Sequence, residues 1–139
     1  MRRYEAKLEQ FDIDIYLPHY SALAIPTEDL KEMITSVRGM KTVKPEALLI
    51  LKQSAEIDRR NTVKGMKDAI DILALLAFSG INLKKYAELL KKYKKEHYLR
   101  ELLHVLGNFS YKDIKYLDMD FMQFKEWKRK IMSEIKALL

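Results

Sequence analysis

The sequence predicts an α+β, mostly helical chain in which a short N-terminal β-hairpin precedes a helical bundle. Three observations carry this expectation. Apolar and polar residues alternate from Tyr4 to Leu17, apolar residues recur every three or four positions from Pro45 onward, and no Pro/Gly/Ser-rich linker interrupts the 139 residues. That length suffices for one core rather than two. Residues 1–139 are therefore expected to form a single domain, with 1–44 a small β/α part and 45–139 the bundle.

Each element follows from local chemistry. Tyr4, Ala6 and Leu8 alternate with charges, and Phe11, Ile13, Ile15 and Leu17 alternate with Asp12, Asp14 and Tyr16, which reads as a hairpin turning near Glu9-Gln10. Pro18 ends the second strand, and His19 to Ile25 is irregular or a short extended piece. Pro26-Thr27-Glu28-Asp29 reads as a helix start with Thr27 as N-cap, the helix running to about Val37 and closing at Arg38-Gly39. Met40 to Val43 supplies a short strand, and Pro45 opens the helix that carries Lys52. After the Asn61-Thr62-Val63 link, Met66, Ile70, Leu73 and Ala77 form an apolar stripe stopped by Ser79-Gly80. Asn82 caps the next helix, which breaks near Lys95 before Leu99, Leu102, Leu103 and Leu106 continue to Gly107. Ser110 caps a short turn, and Asp120 begins a last helix with Phe124, Trp127, Ile131, Ile135 and Leu138 inward. Met33, Met66, Met122 and Met132 read as core filling.

Composition narrows the chemistry. The absence of cysteine excludes disulfides and thiolate metal sites and favours a reducing compartment. No apolar run reaches the length of a membrane span and no signal-peptide region follows Met-Arg-Arg-Tyr-Glu, so the expectation is a cytoplasmic chain without a membrane partner. A net charge of +6 favours an acidic partner, nucleic acid or nucleotide phosphate, while abundant Lys, Glu and Ile without Cys would equally suit a thermophile. Lys84, Lys85, Lys91, Lys92 and Lys95 interleave with tyrosines, as on a surface that tracks RNA or DNA. The bland alternative is a solvated helix face, since Tyr86, Leu90 and Tyr93 fall at core-facing spacing.

One string looks like chemistry. Lys52, Glu56, Arg59 and Arg60 form one helical stripe, and Lys64, Lys67, Asp68 and Asp71 form another. Two antiparallel helices would bring these stripes together around an anion or a metal-bound phosphate. The same spacing also gives ordinary (i, i+4) pairs, Lys64 with Asp68 and Lys67 with Asp71, worth about 0.2–0.5 kcal/mol each. His19, His97 and His104 form no close ligand pair. A phosphate-binding loop, a dinucleotide fingerprint and a nucleophile elbow are all missing.

Taken in order, Phe11-Asp12-Ile13-Asp14-Ile15-Tyr16-Leu17-Pro18, Ala24-Ile25-Pro26-Thr27-Glu28-Asp29-Leu30, Val43-x-x-Glu46-x-Leu48-Leu49-x-Leu51-Lys52-x-x-Ala55, Arg59-Arg60 and Lys67-Asp68-x-x-Asp71-Ile72 resemble the later half of bacterial and archaeal nucleotidyltransferases. These share the polymerase-beta-like fold and include toxin and abortive-infection branches. The resemblance covers about residues 8 to 77. It implies Mg²⁺ ions held by carboxylates, a nucleoside triphosphate substrate, and in-line attack on the α-phosphate. It places Asp14 as the third metal-binding acid with Asp12 second, and Lys52 against the triphosphate or a nearby acid. Arg59, Lys67 and Asp68 would shape the phosphate side, and Asp71 would orient the helix pair.

The chain departs from that family pattern in one respect. No Gly-Ser followed by Asp-x-Asp occurs; Asp12-x-Asp14 and Asp118-x-Asp120 lack the glycine-serine turn, and the latter reads as a loop and an N-cap. The polypeptide alone is therefore expected not to transfer nucleotides. Three alternatives stay open: an N-terminal lobe missing from this sequence, a lobe supplied by a partner chain, or lost catalysis. A non-catalytic nucleic-acid-binding module and a homo-oligomer paired through an exposed strand edge are the competing readings.

Overall fold

The computed structural model describes residues 4–7, 12–15 and 23–139. Strands β1 (Tyr4–Lys7) and β2 (Asp12–Ile15) pair antiparallel, with Tyr4 opposite Ile15 and Lys7 opposite Asp12. That register is symmetric about Glu9-Gln10, the turn expected from the alternation; the turn, Pro18 and His19 lie outside the described residues. A helical chain follows the hairpin, as expected.

The strand expected at Met40 to Val43 is present, but the expectation for Pro26 to Gly39 fails. The helix α1 spans only Thr27–Leu30, continues as a 3₁₀ turn to Met33, and gives way to strand β3 (Ile34–Val37), not a helix running to Val37. Thr27 is the first helical residue rather than the N-cap, which is Pro26. Arg38-Gly39 is not a helix stop but the turn of a second hairpin that joins β3 to β4 (Met40–Val43). The physical reason is local. Ile34, Thr35 and Val37 are β-branched and favour extended backbone. Arg38 (φ 50°) and Gly39 (φ 79°) both take the positive φ that a two-residue hairpin turn of the primed type needs. Lys44 N–H closes the hairpin base on Met33 O at 2.7 Å.

From Pro45 onward the elements match the reading closely. Helix α2 (Pro45–Arg59) starts with Pro45 at its first position. Thr62 caps α3 (Val63–Phe78), so Val63 belongs to the helix rather than to the link, and the helix ends at Ser79 with Gly80 at φ +66°. Asn82 caps α4 (Leu83–Lys92), the chain breaks at Lys94 (φ 57°), and α5 (Tyr98–Asn108) follows. Ser110 caps a 3₁₀ segment, and Asp120 with Gln123 forms a capping box at the start of α6 (Phe121–Lys136).

The core joins Leu49 and Ile50 of α2, Ile72 and Leu73 of α3, Tyr86 and Leu90 of α4, Leu102 and Leu106 of α5, and Ile135 of α6. Two core assignments need correction. The buried face of α3 runs through Gly65, Asp68, Ile72, Leu73 and Leu76, so Met66 lies outside and is 51% exposed. Met122 is likewise exposed, whereas Met33 and Met132 pack against the core. The α3 face shifts because its start is pinned against the end of α2. Thr62 Oγ1 donates to Arg59 O at 2.6 Å and accepts from Gly65 N–H at 3.0 Å, and a Cβ at Gly65 would fall 2.8 Å from the Arg59 carbonyl carbon.

Among the described residues, every buried polar side-chain atom has a hydrogen-bond partner. The Tyr86 hydroxyl donates to Gln53 Oε1, and Gln53 Nε2 donates to Tyr98 O at 2.9 Å, which ties α2, α4 and α5 together. The Tyr93 hydroxyl donates to Asp29 Oδ2 at 2.8 Å. Burial, then the hydrogen bond to Asp29, pushes the Tyr93 phenol up to about 12, and burial pushes Tyr86 further in the same direction. Both folded-state values exceed the unfolded value of about 10. The Tyr93 contribution is thus fully present below about pH 10 and is lost as pH rises through about 12, with that of Tyr86 lost higher still. The urea midpoint is expected to fall between pH 9 and pH 11, and the fall should be smaller in Tyr93→Phe; an equal fall in both proteins would contradict this.

Candidate functional site

The two charged stripes meet across α2 and α3, which make the most extensive contact in the bundle. They meet as opposite charges. Lys52 Nζ lies 2.8 Å from Asp71 Oδ2. Arg59 grips Asp68 with two bonds, Nε to Oδ2 at 3.0 Å and Nη2 to Oδ1 at 2.8 Å. Arg60 grips Glu56 in the same forked way and also reaches Glu101 of α5 at 2.6 Å. The (i, i+4) pairs of Lys64 with Asp68 and Lys67 with Asp71 do not form, because both carboxylates turn toward α2.

Burial grades these pairs. Asp68 and Glu56 are buried while Arg59 and Arg60 keep partial exposure, so each arginine neutralises a carboxylate that water no longer reaches. The Glu56 hydrogen bond, then that of Glu101, raises the Arg60 guanidinium above its already high ordinary value. The Lys52–Asp71 pair is different: its side chains are 35% and 48% exposed. It opens onto a groove of about 470 Å³ lined also by Leu48, Ala74, Leu75, Phe78 and Ser79. Lys64 and Lys67 lie exposed on α3, two turns and one turn before Asp71 respectively, without an ion pair among the described residues.

The remaining candidates fall as follows. Asp14 stands opposite Glu5 and Asp12 opposite Lys7 in the β1–β2 ladder, and their side chains lie outside the described residues. Among the described residues no three carboxylates or imidazoles converge as a metal site. His97 and His104 are exposed. Lys84, Lys85, Lys91 and Lys92 are exposed on α4 and Lys95 is half-buried just beyond it, while Tyr86 and Leu90 face inward as their spacing predicts. Among the described residues, no helix is long and apolar enough to cross a membrane. Two features escaped the sequence. Glu101 joins Arg60 across 41 positions, a contact with no local signal. Phe78, 61% exposed, stands seven residues after Asp71 and so on the same helix face, a signal that was present in the spacing.

Comparison with known proteins adds one positive finding. Residues 4–137 match the model of a family described as nucleotidyl transferase AbiEii toxin, type IV TA system. No curated protein and no solved structure matches the chain.

Proposed function

Because this chain belongs to the AbiEii nucleotidyl transferase toxin family, we propose that it serves nucleotidyl transfer from a nucleoside triphosphate to an acceptor, as the helical part that receives the nucleotide. The observation that carries this reading is the Lys52–Asp71 pair, whose carboxylate remains open on a groove while those of the neighbouring pairs, Asp68 and Glu56, are buried. An ammonium has three donors. One goes to Asp71, which fixes the position of Lys52 and leaves two for phosphate oxygens. Arg59, held by buried Asp68, keeps donors beyond its two carboxylate bonds, and exposed Lys67 adds a third cation on the same side.

The family implies a divalent metal. The described carboxylates do not fit one, since Asp68, Asp71 and Glu56 each already face a cation. Asp14, with Asp12 second, is the acid proposed to face a metal, together with an Asp-x-Asp supplied by a further lobe or chain. With such a lobe present, transfer from α-labelled nucleoside triphosphate is expected to fall about a hundredfold or more in the Asp14→Ala, Lys52→Ala double variant. Unchanged transfer would overturn the reading.

A second reading rests on α4. None of Lys84, Lys85, Lys91, Lys92 and Lys95 takes an ion pair among the described residues, so five cations remain available to a phosphate backbone. It predicts RNA binding that weakens steeply with salt, measured by filter binding between 50 and about 200 mM salt. Binding that is absent or independent of salt removes it.

A further inference from the structure

The groove beside Lys52 differs in character from the cations around it. Leu48, Ala74, Leu75 and Phe78 make most of its wall, and its two charged residues, Lys52 and Asp71, neutralise each other at 2.8 Å. A charge-balanced pair draws phosphate less strongly than a free cation, so Lys52 serves a phosphate oxygen only at the edge of the groove, through its two remaining donors, and the apolar wall is left for another part of the ligand. That wall suits a neutral, flat, largely apolar group with a few polar edges. A cation without an ion pair among the described residues lies outside the groove. Lys67 is exposed one turn before Asp71, and Phe78 stands eleven residues after Lys67, so the three share one face of α3. At 1.5 Å rise per residue that stripe runs about 16 Å, from cation through ion pair to aromatic ring. The order matches an extended nucleoside triphosphate, charged at one end and aromatic at the other.

We propose that this groove is the nucleoside end of the nucleotide site, with the base stacked on the Phe78 ring and the phosphates directed toward Lys67. The inference rests on the nucleotide-binding reading above and adds to it the orientation of the substrate along α3. Stacking on an exposed aromatic ring tolerates any base, so the groove distinguishes nucleotides from inorganic polyphosphate rather than one base from another. Phe78 acts here as a binding residue with no part in bond breaking.

The test measures the affinity of the chain for the four Mg²⁺–nucleoside triphosphates and for Mg²⁺–inorganic triphosphate by calorimetry. Phe78→Ala is expected to weaken every nucleotide about tenfold or more while leaving inorganic triphosphate unchanged, and Phe78→Trp should restore nucleotide binding. Lys67→Gln should weaken both kinds of ligand. Exposure of Phe78 makes its truncation tolerable to the fold, which a circular-dichroism melt of each variant verifies. If Phe78→Ala leaves nucleotide affinity intact while Lys67→Gln weakens it, the groove assignment is wrong and the nucleotide reading survives. If neither nucleotide nor triphosphate binds at millimolar concentration, both are overturned.

Discussion

Gly65→Ala is expected to destabilise the protein by roughly 2–3 kcal/mol, in the range of severe overpacking, and to lower its melting temperature by on the order of 10 °C. The new Cβ would lie 2.8 Å from the Arg59 carbonyl carbon and closer still to its oxygen, and both are backbone atoms that no rotamer change can move. Relief would require α3 to back away from the end of α2. That movement would lengthen the Thr62 bonds to Arg59 O and Gly65 N–H and loosen the forked Arg59–Asp68 pair. Gly107 provides the control. Nothing lies within 4 Å of its added Cβ, and it sits inside α5. Gly107→Ala should be neutral or stabilising by up to about 1 kcal/mol. Thermal melts of the two variants decide the matter; equal shifts in the same direction would mean the α2–α3 junction is not the constraint described.

The same junction shows what the sequence could and could not reveal. Helices α2 to α6 were legible because caps and stripes are local: Pro45, Asn82, Ser110 and Asp120 each stand where a helix or 3₁₀ segment begins. Of the β3–β4 hairpin only the second strand, Met40–Val43, was legible. Its strands are four residues long, so Thr27-Glu28-Asp29 and Arg38-Gly39 looked like the two ends of one helix. Only the run of β-branched residues between them argued otherwise. The charged stripes were found by spacing, but spacing cannot say whether a carboxylate faces along its helix or across to the next. Asp68 and Asp71 face across, because the buried side of α3 starts at Gly65 and not at Met66. The groove was missed for a related reason: its wall combines one face of α3 with Leu48 and Lys52 of α2, a juxtaposition that only the packed pair creates.

Arg60→Ala should be the most damaging of the charge substitutions, at about 2–3 kcal/mol by urea denaturation. The value stays below the 3–5 kcal/mol typical of a fully buried broken pair, because Arg60 itself remains 29% exposed. The loss arises from Glu56. With its side chain 8% exposed and both oxygens on Arg60, Glu56 would be left charged without a partner. Glu101, at 32% exposure, would recover water and contribute little to the loss. It follows that replacing both members, as Glu56→Leu with Arg60→Met, should recover most of the stability; a double variant no better than Arg60→Ala would show that the pair itself is the source. Lys52→Ala stands at the other end of the scale. Its pair is exposed on both sides and screened by solvent, so removing it should cost at most about 1 kcal/mol. The contrast decides how the function can be probed. A loss of nucleotide binding in an Arg60 or Asp68 variant confounds chemistry with folding, whereas a loss in Lys52→Ala at unchanged stability belongs to the site. Should Lys52→Ala instead unfold as readily as Arg60→Ala, the open ion pair would be a structural tie and the groove would lose its anchor.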